Sequence, residues 1–434
     1  MVSYSKKVPV LIKNLRWLIV CLLFAGTALN YLDRNVLSVL EPKIRGEIGW
    51  TPEQWGMING SFWLAYAAFA LVTGRLLDRI GTKLGYALIL GWWGLACAMH
   101  GLAGSVLGFA ILRFALGAGE GGVAPATAKA VAEWFPKQER GFAFAIAMSG
   151  TMLGGIIAPP ITGIIAVKFG WQAAFFIAGG LCALWIAGWM ALYDLPAKHK
   201  RITEKERQHV LTAQAAEDAE RGAASADGVA PIGMLKLVRM PQMQGLAIAK
   251  TIADPVWAFF LAWTPKYMSE VRGVDFKTIA YTTWLPFAAA ALGSLFCGWF
   301  STVLIKRGMG VVAARKVVIV IGAAVMPIGS MAFYAKSLEG AFACLCVAAF
   351  GHIVWVTAVQ TLPSDILPSR DVGTGTGLIQ TTGSIGNVLG LYGVGYLVSH
   401  LSYRPVFLLA GIMHPIAAII VLAMVRNVRR PDAH

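Results

Sequence analysis

The sequence predicts an all-α membrane protein: twelve transmembrane helices arranged as two six-helix bundles related by pseudo-symmetry. Three observations lead there. The 434 residues are 57% hydrophobic with only 14% charged, at a mean hydropathy of +0.65, whereas a soluble domain carries about 25% charged residues. Apolar runs of about 20 residues, each long enough to cross a bilayer, recur along almost the whole chain. The positive charge is unevenly placed. About 25 of the 37 Lys and Arg fall in alternate loops and both tails and about 8 in the intervening loops, as the positive-inside rule expects.

Twelve spans follow, approximately 15–38, 54–79, 83–104, 106–132, 138–168, 171–193, 242–272, 275–305, 313–335, 339–365, 371–400 and 402–427. An even number with a basic N-terminal tail puts both termini in the cytoplasm. The first apolar run contains Asp33 and Arg34 and lacks a small-residue cleavage site, so it reads as a retained helix rather than a removed signal. Residues 194–241 are charged, then rich in Ala, Gly and Ser. They separate an N-terminal bundle (1–193) from a C-terminal bundle (242–434), and the stretch near 203–220 has helix-forming composition. The halves carry a weak internal repeat, a mark of transporter folds. An offset of 232 aligns Pro136 with Pro368, Gly141 with Gly373 and Gly154 with Gly386, and sets His352 opposite Glu120.

Composition also excludes. The net charge of +15 is a topology signal, and no nucleic-acid partner is expected. The six cysteines, Cys21, Cys97, Cys182, Cys297, Cys344 and Cys346, all fall in apolar spans. They lack zinc spacing and read as small buried hydrophobes, so neither metal nor cofactor is expected. No nucleophile–base pair stands out, so the chain does not read as an enzyme. The central loop is too short to be a signalling output domain.

The informative residues are the polar ones inside spans. In the fourth span, RFALGAGEGGVAPATAK (113–129), Arg113 and Glu120 are seven residues apart. Seven steps of 100° make 700°, so they share one helix face about 10 Å apart along the axis. That face must avoid lipid, because an ionised group at the bilayer centre costs from ~2.5 to ~17 kcal/mol. The GAGEGG run is not a dinucleotide fingerprint, since it follows no strand and has the wrong spacing. Its glycines thin the helix, and Pro125 bends the end beyond it. Lys129 is expected to snorkel or to pair with Glu133.

The first span carries NYLDRNVLS (30–38), with Tyr31, Asp33 and Arg34. Asp33, Arg34, Arg113 and Glu120 are expected to gather as two acids and two arginines, neutral together. Tyr31 and Tyr66 offer hydroxyls and ring faces. In the seventh span, ADPVWAFFLAWTPKYM (253–268), two prolines suggest a broken helix; Asp254, Trp257, Trp263 and Lys266 are its polar and aromatic members. The tenth span adds His352, Trp355, Thr357 and Gln360; the eleventh adds Gln380, Thr381, Thr382, Ser384 and Asn387. Aromatic faces and polar amides suit a sugar, although the same groups also anchor helices or hold them together.

Between the second and third spans lies GRLLDRIGTKLG (74–85). With its Gly74, Asp78, Arg79 and Lys83 it resembles the signature loop of the major facilitator superfamily, and the span count and long central loop resemble that superfamily over essentially the whole chain. Within it, NYLDR, the Arg113–Glu120 spacing and EWFPKQERG followed by APP look like the anion:cation symporter family; DPVW, AWTPKYM and GH look most like bacterial hexuronate transporters. The resemblance implies a major facilitator fold and proton-coupled import of hexuronates such as glucuronate or galacturonate by alternating access. Its setting would be the bacterial inner membrane, with the chain acting as a monomer. It implies that Asp33 and Glu120 carry protons and that Arg113 switches partners as they titrate. Arg34, Tyr31, Tyr66, Trp257, His352, Gln380 and Asn387 would bind substrate; Gly74, Asp78, Arg79 and Lys83 would gate. Galactonate-type members carry a glutamine where this chain has Thr151, which favours ring-form uronates. An aldonate, aldarate or aromatic acid substrate, and sodium coupling or exchange, stay open.

Overall fold

The computed structural model describes residues 11–226, 232, 234–367 and 371–425. Among these, the N-terminal half is built of α1 (Leu15–Ile48), α2 (Pro52–Ile80), α3 (Thr82–Met99), α4 (Val106–Glu120), α5 (Val123–Trp134), α6 (Lys137–Phe169) and α7 (Trp171–Leu192). Two connecting helices follow, α8 (Glu204–Ala226) and α9 (Met234–Arg239). The C-terminal half comprises α10 (Pro241–Glu270), α11 (Phe276–Thr282), α12 (Leu285–Lys306), α13 (Val311–Ser330), α14 (Leu338–Ile366), α15 (Val372–His400) and α16 (Tyr403–Met424). Ten helical spans are long and apolar enough to cross a membrane, with α4–α5 and α11–α12 each counting as one. The 29-residue helices α2 and α15 pack against each other across the two halves and complete the twelve. The result is a multi-pass, all-α membrane protein.

Local chemistry sets the ends. Thr51 and Gln54 form a capping box at the start of α2, while Ser105, Asp275 and Ser337 cap α4, α11 and α14. The fourth span breaks at Gly121–Gly122, one turn before Pro125. Proline has no N–H for the carbonyl four residues back, which is that of Gly121. Pro286 acts likewise on Thr282, splitting the eighth span into α11 and α12, a break not foreseen above.

The seventh span departs from expectation. α10 runs unbroken through Pro255 and Pro265. The carbonyl that Pro255 leaves unpaired belongs to Thr251, and Gly386 of α15 packs against it so closely that a Cβ there would lie 2.3 Å from that oxygen. A close neighbour supports the proline, as membrane helices allow.

The repeat is legible in these contacts. Gly119 abuts Trp93 and Gly351 abuts Val325, pairs related by the offset of 232. Gly154 packs on the Ala28 carbonyl as Gly386 packs on that of Thr251, which relates α1 to α10 by an offset of 223 (251 − 28).

α8 lies on the face that carries the described chain ends. Glu206 accepts hydrogen bonds from the backbone N–H of Leu15 (3.1 Å) and Arg16 (3.0 Å), capping α1, and Gln214 donates to the Glu133 carbonyl. Ile232 donates to Asp371 on the other half. The connecting segment is therefore tied to one half by its first part and to the other by its last. The cysteine expectation holds for Cys97, Cys182 and Cys297, whereas Cys21 is exposed and Cys344 and Cys346 are partly so.

Candidate functional site

α1 brings Arg34 to Glu120. The guanidinium donates to one carboxylate oxygen, Oε2, from Nε (2.9 Å) and Nη2 (2.7 Å), and the Glu120 side chain is wholly buried. Four rings surround the cation: Tyr31 at 4.7 Å from Cζ, Phe62 at 5.0 Å, Trp63 at 5.4 Å and Tyr66 at 5.5 Å. Such a cage holds a desolvated cation by its ring faces. The glycines of α4 make it possible. A Cβ on Gly117 would sit 2.1 Å from the Phe62 carbonyl oxygen and one on Gly121 would sit 2.7 Å from that of Tyr66, so α2 rides directly on α4.

The expected four-charge cluster is rearranged. Arg113 donates instead to the backbone carbonyl of Arg34 (3.1 Å), and its Nε is buried without a partner. Asp33 turns away from the arginines. Its Oδ2 accepts from Trp93 Nε1 and Cys182 Sγ, both at 3.1 Å, and Oδ1 is buried unpaired. Successive helical residues diverge by 100°. Asp33 therefore looks into the α3–α7 packing while Arg34 looks across to α4. Depth along the span predicted one cluster; angle about the axis separates it into two.

A cavity lies between the halves, lined by Asn35, Ser38, Trp257, Phe260, Thr264 and Phe287 among others. A neighbouring pocket shares Asn35 and Ser38 and adds Arg34, Asn59 and Arg113. Trp257 stacks on His352, 5.2 Å between centroids and 3° between planes. The two internal offsets give this pair a meaning. Arg34 corresponds to Trp257 (34 + 223) and Glu120 to His352 (120 + 232), so the ion pair of one half is replaced by an aromatic stack in the other. Asn387 is buried with an unpaired Oδ1, and Gln380 is half-buried on α15.

Other candidates go elsewhere. Lys266 is wholly buried between Glu41 and Glu270, each at 2.9 Å, and Arg45 also pairs with Glu270. With Trp55 donating to the Ala262 carbonyl, this network joins the halves on the face away from the chain ends. Trp263 packs on Tyr403. Asp254 pairs with Lys250 (2.8 Å) in a notch left by Gly383. Gln360 is exposed, and the Thr381 and Ser384 hydroxyls bond back to their own helix. Lys129 donates to the Leu77 carbonyl, while Glu133 accepts from Thr82 and Tyr193. In the 74–85 loop Lys83 pairs with Asp194 (3.4 Å) and Arg79 is exposed; the side chains of Gly74 and Asp78 lie outside the described residues. Sequence reading passed over Cys182 and Trp93, which hold Asp33, and Lys250 and His414. Cys182, Trp93 and His414 take partners from a second helix, whereas Lys250 pairs with Asp254 one turn along α10 itself, a spacing of four that the sequence already displays.

A family model described as Major Facilitator Superfamily matches residues 23–314 and 309–434. This chain belongs to the Major Facilitator Superfamily. It is a transporter and not an enzyme. The hexuronate transporter of Escherichia coli strain K12 is 32% identical over 418 residues, 96% of this chain and 95% of that protein. The galacturonate transporter of Dickeya chrysanthemi is 33% identical over 316 residues, 73% of this chain and 90% of its own length. Among solved structures, a bacterial homologue of the human lysosomal transporter Spinster superposes with a TM-score of 0.75 at 18% identity, covering 97% of this chain and all of that one. At that identity the superposition speaks for the fold alone.

Proposed function

We propose that this superfamily member imports hexuronates across the bacterial inner membrane, with both termini cytoplasmic, coupled to protons and acting as a monomer. What supports the substrate class is the likeness to hexuronate and galacturonate transporters over most of the chain, together with an arginine and an aromatic platform lining neighbouring pockets that share Asn35 and Ser38. The 1–193 and 242–434 bundles rock about those pockets, joined by the 194–241 connection. The network of Glu41, Lys266, Glu270 and Arg45 holds the halves together on the outer side and must part for substrate to enter from there.

The observation that carries the mechanism is the Arg34–Glu120 pair. Arg34 is the natural ligand for a substrate carboxylate, whose two oxygens match its planar fork, yet Glu120 holds it. A proton on Glu120 removes that competing charge and frees Arg34. The expected release of Arg113 is thus replaced by release of Arg34, with Arg113 fixing the α1 backbone and lining the same pocket. The intramembrane sum of Asp33, Arg34, Arg113 and Glu120 is zero when all are ionised. Adding one anion and one proton leaves it zero, which makes the loaded cavity no dearer to move than the empty one. Asp33, in its separate chamber, is the second proton site. Trp257 carries an apolar sugar face. His352, Gln380, Asn387, Tyr31 and Tyr66 take hydroxyls. The 74–85 loop, with Gly74, Asp78, Arg79 and Lys83, gates the inner side.

Uptake into proteoliposomes tests this, using labelled glucuronate, galacturonate, galactonate and galactarate under separate pH and sodium gradients. The expected result is uronate accumulation with a pH gradient alone. Accumulation driven by sodium with no response to pH would overturn the coupling, and preference for an open-chain acid would overturn the substrate.

A further inference from the structure

His414, on α16, takes no part in the mechanism above, yet its Nε2 lies 2.9 Å from Nδ1 of His352. Both rings are buried, and Trp355 packs edge-to-face on His414 at 5.2 Å. One of the two facing nitrogens must carry the hydrogen and the other must be bare. The remaining nitrogens decide which. His414 Nδ1 is buried with no partner. If His414 Nε2 were the acceptor, the ring proton would have to sit on Nδ1, leaving an orphaned N–H. Orphaned buried donors are rarer than under-used acceptors. His352 Nε2, by contrast, has no protein partner among the described residues and is not one of the wholly buried unpaired atoms. His352 shares the face of α14 that carries Leu345 and Ala349, which line the cavity.

The geometry points to His414 as a positioning residue: its Nε2–H donates to His352 Nδ1 and locks His352 as an Nε2–H donor, turned to the cavity beside the Trp257 ring, for a hydroxyl of the sugar acid. Both histidines are then neutral and both carry hydrogen on Nε2. The pseudo-symmetry gives the arrangement a counterpart. His414 corresponds to Cys182 (182 + 232), which bonds Asp33 in the other half. The inference rests on the reading of His352 as a substrate contact, and its test separates the two.

Nitrogen-15 NMR of histidine-labelled protein, assigned with H352F and H414F, reads the tautomers directly and needs no transport. Two Nε2–H rings support the lock; a proton on Nδ1 of either ring overturns it. Glucuronate and galacturonate binding to purified H414Q, H414L, H352L and the H352L/H414L double variant supplies the functional arm. Glutamine places an amide N–H near the position of Nε2, so H414Q is expected to stay within about threefold of wild type. H414L and H352L are each expected to lose about tenfold, with no further loss in the double variant. Equal loss in H414Q and H414L overturns the donor role of His414. Unchanged binding in H352L overturns the substrate contact itself, whatever the tautomers.

Discussion

Replacing Glu120 by Gln keeps the shape of the side chain and removes only its charge and its ability to carry a proton. Arg34 now donates twice to Glu120 Oε2, at 2.9 and 2.7 Å, with the carboxylate wholly buried. A hydrogen bond to a charged partner contributes about 1.5–3 kcal/mol and a neutral one about 1 kcal/mol. Two weakened bonds therefore cost ~1–4 kcal/mol, below the ~3–5 kcal/mol of a fully broken buried pair, because the amide oxygen still accepts and four rings still surround the cation. The unloaded variant should melt earlier, and substrate should restore part of the loss by mass action. Transport should change in kind. One proton per substrate supplies about 1.36 kcal/mol for each pH unit, a tenfold concentration ratio. E120Q should accumulate nothing under the same gradient while exchanging labelled for unlabelled substrate across the membrane. Substrate binding should hold or tighten, since no charge competes for Arg34. Accumulation by E120Q, or equal loss of uptake and exchange in well-folded protein, would falsify the role given to Glu120.

Three further outcomes follow from the same contacts. R34K keeps the charge but loses the fork and much of the ring stacking, and should weaken uronate binding at least tenfold by tryptophan fluorescence titration; unchanged affinity would move the carboxylate site to Arg113. G117A would set a Cβ 2.1 Å from the Phe62 carbonyl oxygen, so α2 and α4 must separate. Folded yield should collapse, and a stable, active G117A would refute the packing described. K266M leaves the buried Glu41 without its ammonium partner and should unlock the outer face. A cysteine placed at Asn59 should then react faster with an impermeant reagent added outside than it does in an otherwise wild-type background.

The chain's own pattern determined the class, the twelve spans, the connecting helix and the repeat, because hydrophobic length and charge bias are local properties that a bilayer enforces on each span separately. It also picked out Arg34, Glu120, Trp257 and His352, since polar groups in apolar spans are conspicuous. Helix breaks were only half legible. Pro125 and Pro286 break their spans whereas Pro255 and Pro265 do not, and the close packing of Gly386 on the Thr251 carbonyl is a contact that only another helix supplies. Partner choice was decided by tertiary structure alone. Asp33 and Arg34 are adjacent in sequence and equal in depth, yet a turn of 100° sends one to Trp93 and Cys182 and the other to Glu120. Periodicity gives the angle of a side chain about its own helix; which neighbour stands at that angle depends on how the helices pack, and that is set by glycine notches and ring contacts spread over the whole bundle.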